Sequence, residues 1–147
     1  MITSLRGKIF SEKEFWKIIE MMDWHFVGED ENVVKRATAY LSKKSESFIK
    51  KFHQMLLQKL RKLQGCQDYF QEERSGESFL FTRCAVIAAG KKYYESVVSN
   101  PNKIRENTEF NILTKLCNGA MALKVGENPV TYSSFKYYSA ATNIHLG

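Results

Sequence analysis

The segment that most constrains the fold is FLFTRCAVIAAGKKYYESVV, residues 79–98. Apolar side chains recur along it at helical spacing in two stripes, which together leave its first half with little polar surface. The stripes are Leu80, Cys84, Ile87, Tyr94 and Val98, and Phe79, Val86, Gly90, Tyr93 and Val97. Because such a helix must be covered on several sides, we predict a central buried helix over residues 79–98.

Four further helices are predicted from caps and periodicity. Ser11 and Ser45 precede amphipathic stretches as N-cap residues, and Glu14 completes a capping box with Ser11. The stretch ENVVKRATAYLSKK lies between them, with acids at its start and lysines at its end, as the helix dipole favours. Another apolar stripe runs through residues 107–126. The sequence therefore predicts an all-α fold of about five helices packed around the 79–98 helix.

The chain is long enough for one domain, with 147 residues of which 44% are hydrophobic. We predict a single helical domain over residues 1–128. Residues 129–147 lack a clear period and are predicted to form a loop-like tail that packs on the domain or trails from it. Residues 66–77 are predicted to form a loop that could provide a binding edge.

The three cysteines are widely spaced and form no C-x-x-C pair, so a zinc site and a disulfide framework are not expected. The stretch MITSLRGKIF lacks the apolar core of a signal peptide, and no window approaches the roughly 18 apolar residues of a membrane span. These features predict a cytoplasmic protein with reduced thiols and no membrane partner.

Arg83 lies in the most apolar half of the predicted central helix. A guanidinium cannot discharge at neutral pH, so we predict that it is buried and bonded to a carboxylate from another helix. The alternative is an anion-binding clamp, with Tyr94 and Glu95 lining a shallow pocket. Trp16 and Trp24 are predicted to anchor the core, and Trp16 is also a candidate binding residue.

Residues 43–62 carry seven basic side chains against one acid, Glu46, so the excess of 7 − 1 = +6 equals the net charge of the whole chain. The basic residues are Lys43, Lys44, Lys50, Lys51, Lys59, Arg61 and Lys62. They do not form one stripe, which favours a solvated helix face. The alternative is a footprint for DNA, RNA or an acidic protein.

The leading EFWKIIEMMDW and the central FLFTRCAVIAAGKKYYESVV resemble an uncharacterised bacterial domain family of unknown function. Its pattern is F-W, then F-L-Y-x-R-C-A-V-V-A-x-G-x-x-Y/F-Y-E, then a turn matched here by KVGEN, and the resemblance covers about residues 11–128. The matching residues are Phe15, Trp16, Phe79, Leu80, Phe81, Arg83, Cys84, Ala85, Val86, Ala88, Gly90, Tyr94 and Glu95. The resemblance implies small cytoplasmic proteins without accepted catalytic residues, and some similar small families are immunity proteins against bacterial toxins.

The sequence contains no HExxH, GxSxG or P-loop motif, so we predict no catalytic residue, no metal and no cofactor. The leading hypothesis is a non-catalytic protein-interaction domain, with an immunity-like role as one form of it. It would bind a protein, for instance an acidic one, through residues 66–77, the tail or the basic helix. The second hypothesis is a nucleic-acid-binding regulator that uses residues 43–62. The third is an enzyme or anion binder centred on Arg83, Tyr94 and Glu95.

Overall fold

The computed structural model describes residues 10–69, 76–105, 108–128 and 135, and in this part of the chain every regular element is a helix. The α-helices are α1 Glu12–Ile19, α2 Asp30–Ser42, α3 Glu46–Lys62, α4 Gly76–Ala88, α5 Lys91–Ser99 and α6 Leu116–Val125. Short 3-10 helices span Trp24–Phe26, Gln64–Tyr69, Pro101–Lys103 and Asn111–Lys115. The predicted all-α class is confirmed.

The predicted helix starts are confirmed where a serine caps the helix. The Ser11 hydroxyl accepts the Glu14 backbone N–H at 3.3 Å. The Ser45 hydroxyl accepts that of Phe48 at 3.1 Å. These bonds satisfy donors that have no partner within the first turn of a helix. At the other end of the fold, Gly126 closes α6 in the left-handed conformation, with φ of 75°.

The prediction of one continuous helix over residues 79–98 is wrong, because the chain breaks between Ala88 and Lys91. Gly90 lies at the break with φ of 114° and ψ of 164°, a conformation that is essentially restricted to glycine. Both pieces bury apolar side chains, so the helical spacing continues across the break and hides it. The predicted helix over residues 107–126 is also shorter than expected, since Asn111–Lys115 forms a 3-10 turn.

The core takes side chains from every α-helix. Phe15 of α1 stacks on Phe52 of α3, with ring centroids 4.9 Å apart, and both side chains are fully buried. Leu41 and Leu113 are also fully buried, as is Ile87 of α4. Helix α4, which corresponds to the first half of the predicted central helix, is therefore largely buried, as predicted.

Two predicted segments lie partly or mostly outside the described residues. The predicted loop at 66–77 begins within the 3-10 turn Gln64–Tyr69, and α4 already starts at Gly76. Residues 70–75 are outside the described part, as is the tail from 129 onward except for Phe135. In the described part of the chain, no helix has the length and apolar content that crossing a membrane requires.

Candidate functional site

Arg83 is fully buried, as predicted. Its Nη1 donates a hydrogen bond to the carbonyl oxygen of Leu60 at 3.0 Å, and its guanidinium carbon lies 4.4 Å from the ring centroid of Phe79. Leu60 belongs to the last turn of α3, where carbonyl groups lack the usual donor four residues on, and its oxygen also accepts the Leu63 backbone N–H at 3.1 Å. Arg83 thus ties α4 to the end of α3, while its carboxylate partner stays a prediction.

Tyr94 bonds to the neighbouring carbonyl at the same end of α3. Its hydroxyl donates to the carbonyl oxygen of Lys59 at 2.8 Å, and its side chain is 3% exposed. Two consecutive carbonyls of α3 are therefore capped by side chains from α4 and α5. A cation is favoured there, because the helix dipole places partial negative charge at the C-terminus. This explains why a guanidinium lies among apolar residues.

Lys59 is the third buried polar group at this end of the fold. Its Nζ lies 2.5 Å from Oε2 of Glu12 and 5.6 Å from the ring centroids of both Trp16 and Tyr94. The indole N–H of Trp16 donates to the same carboxylate oxygen at 3.4 Å. The ammonium group therefore joins α1, α3 and α5, and it compensates its burial with one ion pair and two aromatic faces.

The structure brings together three of the four residues predicted to bind a ligand, but inside the protein. Arg83, Tyr94 and Trp16 are 0%, 3% and 4% exposed, and their polar atoms bond to groups of the protein itself. Glu95 is exposed, unlike the other three. In the described part of the chain, Arg83, Tyr94 and Trp16 join Lys59 in linking the helices to one another, and we call these four residues the buried tie. These contacts account for them without a ligand.

The cysteine thiols also lie inside the protein. Cys66, Cys84 and Cys117 are all buried, and none of them is joined in a disulfide. Burial raises the pKa of Cys84 to about 12 and that of Cys66 to about 11, so both thiols are protonated at neutral pH. A protonated, buried thiol is a poor nucleophile. Among the described residues there is also no group of three or more His, Cys, Asp or Glu that could hold a metal ion.

The predicted basic patch loses one member. Lys59 faces inward, because its aliphatic stem and ammonium pack against Trp16 and Tyr94, so its assignment to a surface patch is wrong. Lys44 is half-buried and lies over the Tyr40 ring at 4.6 Å. The basic residues of α3 that do face solvent are Lys50, Lys51, Arg61 and Lys62, which we call the basic face.

Sequence reasoning missed an exposed apolar surface between α1 and α2. Trp24, Phe26 and Val27 are 44%, 40% and 74% exposed, and we call them the apolar corner. Trp24 was predicted to anchor the core, but nearly half of its surface is exposed. Its ring packs on that of Phe110, with 5.2 Å between centroids. The available signal was HFVG, in which apolar residues lie outside any helical stripe and just before Gly28.

The apolar corner is held in place by local bonds. A carboxylate oxygen of Asp23 accepts the His25 N–H at 3.1 Å, and the carbonyl of Asp23 accepts the Phe26 N–H at 3.1 Å. Gly28 then turns the chain into α2 with φ of 92°. The nine residues 23–31 contain four carboxylates and no lysine or arginine, in a chain whose net charge is +6. The corner therefore presents apolar side chains beside negative charge.

The Glu12–Lys59 ion pair makes the stability of the fold depend on pH. The hydrogen bond from Lys59 lowers the pKa of Glu12, against burial, which would raise it. A lowered pKa contributes stability above the unfolded pKa of about 4.3, and this is lost as pH falls through the folded value. We expect Glu12→Gln to be less stable than wild type by at most ~1 kcal/mol at pH 7, since the carboxylate is half-exposed.

This stability difference should shrink as pH falls below about 4, measured by urea unfolding at several pH values. Glu20→Gln is the matched control, since Glu20 is exposed at the other end of α1. A difference between wild type and Glu12→Gln that stays constant from pH 7 to pH 3 would show that the ion pair with Lys59 does not contribute.

A family model matches most of the chain. The family described as a protein of unknown function, DUF4240, matches residues 10–127, which includes all six α-helices and the residues of the buried tie. Neither a curated protein nor a solved structure matches the chain. The match starts at the buried Phe10 and ends just after Gly126 closes α6, so its bounds coincide with those of the helical fold. The chain therefore belongs to the DUF4240 family of proteins of unknown function.

Proposed function

We propose that the protein is a non-catalytic interaction domain that binds another protein through the apolar corner. The observation that carries the proposal is the exposure of Trp24, Phe26 and Val27 within four consecutive residues. A contiguous apolar surface on a small domain is typical of a binding site, and tryptophan is enriched among residues that dominate binding energy. Leu123 and Val125 are also exposed, but they carry no aromatic ring.

The charges beside the corner specify the partner further. Glu29 and Glu31 are exposed at the start of α2, next to Val27. They favour a partner that presents an apolar side chain bordered by lysine or arginine, because complementary charge speeds encounter and disfavours acidic surfaces. This partner differs from the acidic protein that the basic face would attract.

The buried tie supports a non-catalytic role. Arg83, Tyr94 and Lys59 are the polar side chains that could most readily have formed a reactive site. Each is engaged in holding helix ends together, and burial raises the pKa values of the Cys66 and Cys84 thiols. Three widely spaced cysteines without a C-x-x-C pair fit a reducing, cytoplasmic setting.

We expect Val27→Asp to abolish partner binding, since it places a charge in the centre of the apolar corner. The measurement is affinity capture from a lysate of the source cells with wild type, Val27→Asp and the control Val125→Asp, an exposed valine of α6. A partner retained by wild type and Val125→Asp but lost with Val27→Asp is then purified, and its dissociation constant should rise at least ~30-fold with Val27→Asp. Identical sets of captured proteins for all three baits would contradict the proposal.

An immunity-like role is one form of this proposal, with a toxin as the partner. It requires that the protein protect a cell that expresses the toxin, and that protection fail with Val27→Asp while expression is unchanged. A toxin gene next to the gene for this protein would identify the partner to test. Protection that is unaffected by Val27→Asp would place the toxin contact elsewhere.

A nucleic-acid-binding role is the second candidate, because the basic face is exposed along α3. If its four cations each contacted a phosphate, affinity for duplex DNA should fall with salt at a log–log slope of about −3.6. We expect instead no binding tighter than about 10⁻⁴ M at 0.15 M salt. The cations flank a line of Ser47, Gln54 and Gln58, and the sequence offers no aromatic ring among them for stacking.

The discriminating experiment is a titration of duplex and single-stranded DNA by fluorescence anisotropy at several salt concentrations. The comparison variant is Lys50→Glu with Lys51→Glu, and the control is Lys91→Glu with Lys92→Glu, an exposed pair on α5. Micromolar, salt-sensitive affinity that is lost only in the first variant, at an unchanged melting temperature, would favour nucleic acid over a protein partner.

A further inference from the structure

Phe135 makes a two-point contact with the helical domain through its backbone. Its N–H donates to Oδ1 of Asn118 at 2.8 Å, and its carbonyl oxygen accepts from Nδ2 of the same side chain at 2.9 Å. One side-chain amide therefore pairs with both backbone polar groups of one residue, as two residues do in a hydrogen-bonded pair of an antiparallel sheet. Asn118 lies in the first turn of α6 and is half-buried.

The side chain of Phe135 is bound as well. Its ring lies 4.8 Å from the imidazole of His53, between centroids, with an interplanar angle of 51°. His53 is half-buried on α3, and burial lowers its pKa, so its ring is neutral at pH 7 and presents a largely apolar face. The phenylalanine also packs against the core cluster. Contact with an aromatic ring therefore accompanies the backbone pairing.

We propose that Asn118 and His53 form a peptide-docking site for the C-terminal segment of this chain, with Phe135 as its anchor. Pairing with Asn118 offsets the desolvation of a backbone N–H and C=O that would otherwise lose water at an apolar surface. It is independent of sequence, whereas the His53 face selects an aromatic side chain. This division between a backbone contact and a selective side-chain contact resembles peptide recognition in which backbone bonds provide affinity and a side-chain pocket provides specificity.

This site is separate from the apolar corner. It is formed by α3 and α6 and is occupied by the chain itself, whereas the corner lies between α1 and α2. The docking contact can therefore fail its test while the proposed partner binding holds, and the reverse is equally possible. Its consequence is that Phe135 is held against α3 and α6.

The first test measures hydrogen exchange of the Phe135 amide in the full-length protein by NMR. In wild type it should exchange at least about tenfold more slowly than in a free peptide, because its N–H is bonded to Asn118. Asn118→Ala and Phe135→Ala should each remove that protection at position 135 while amides of α3 remain protected. Asn111→Ala, an exposed asparagine, is the control and should change nothing at Phe135. Exchange of the wild-type amide at the free-peptide rate would overturn the proposal.

The second test asks whether the site accepts the segment from outside. A synthetic peptide of residues 131–139, TYSSFKYYS, is titrated into full-length Phe135→Ala while the side-chain amide signals of Asn118 are followed. We expect saturable binding, and binding to wild type at least about tenfold weaker because the attached anchor competes at millimolar effective concentration. The same peptide with alanine in place of phenylalanine should not bind. Equal shifts with both peptides, or none at about 2 mM peptide, would overturn the proposal.

Discussion

Replacing Arg83 with methionine is expected to lower the free energy of unfolding by about 3 kcal/mol. Methionine fills much of the same volume, so the loss comes from the hydrogen bonds rather than from a cavity. The guanidinium donates to the Leu60 carbonyl at the end of α3, and a charge-assisted bond of this kind contributes about 1.5–3 kcal/mol. The carbonyls of Leu60 and Phe79 lose the bonds from Arg83 but stay buried, and Leu60 keeps the bond from the Leu63 N–H.

Thermal unfolding followed by circular dichroism should show the melting temperature fall by about 10 °C for Arg83→Met. Arg61→Met is the matched control, because Arg61 is an exposed arginine in the same last turn of α3, and its removal should change the melting temperature little. Arg83→Lys should lie between wild type and Arg83→Met, since lysine keeps N–H donors at this position but lacks the planar fork. An Arg83→Met variant that melts within a degree or two of wild type would contradict the tie.

The sequence predicted that Arg83 is buried and bonded to another helix, but not that it bonds to a backbone carbonyl of α3. Its burial followed from helical spacing alone, because the positions that flank Arg83 around the helix axis belong to the two apolar stripes of residues 79–98. The contact with Leu60 could not be predicted, since it depends on where α3 ends relative to α4. Spacing gives the direction of a side chain around its own helix, whereas the distance between two helix ends depends on the loops and the packing between them.

The break at Gly90 shows why periodicity can join two helices into one. Residues 83 and 94 are eleven positions apart, so on a straight helix they would share a face but lie about 16 Å apart along the axis. In the structure their side chains reach the adjacent carbonyls of Lys59 and Leu60. The break brings the two side chains to one helix end. A glycine between alanine and lysine was the available signal, but glycine also occurs inside helices, as Gly119 does in α6.

The apolar corner illustrates the opposite error. Trp24 and Phe26 are aromatic, and aromatic residues in a small domain are usually buried, so sequence composition favours the core. The HFVG stretch interrupts the helical pattern, and apolar residues in such an interruption have no helix face to place them inward. The Asp23 cap and the positive φ of Gly28 hold them outward instead. A candidate binding surface was therefore present in the sequence as apolar residues without periodicity.

Gly90→Ala is expected to lower the free energy of unfolding by about 2 kcal/mol. A Cβ at Gly90 would meet nothing within 4 Å, so the cost is conformational rather than steric contact with neighbours. With φ of 114°, an alanine must either accept a strained backbone or rotate α5 relative to α4. Gly65→Ala is the control, because that glycine also faces open space but has no positive φ, and its stability should be unchanged or slightly higher. Equal stability of the two variants by urea unfolding would contradict the strain.

A double-mutant cycle with Tyr94→Phe separates the two responses of Gly90→Ala. Tyr94→Phe alone removes the bond to the Lys59 carbonyl and should cost about 1 kcal/mol. If alanine at position 90 accepts the strain in place, the two losses add, because the bond is still formed before it is removed. If α5 rotates instead, the hydroxyl has already left the carbonyl, and the double variant loses less than the sum. We expect the losses to fall short of additivity by at least ~0.5 kcal/mol, because the orientation of α5 depends on the backbone conformation at Gly90.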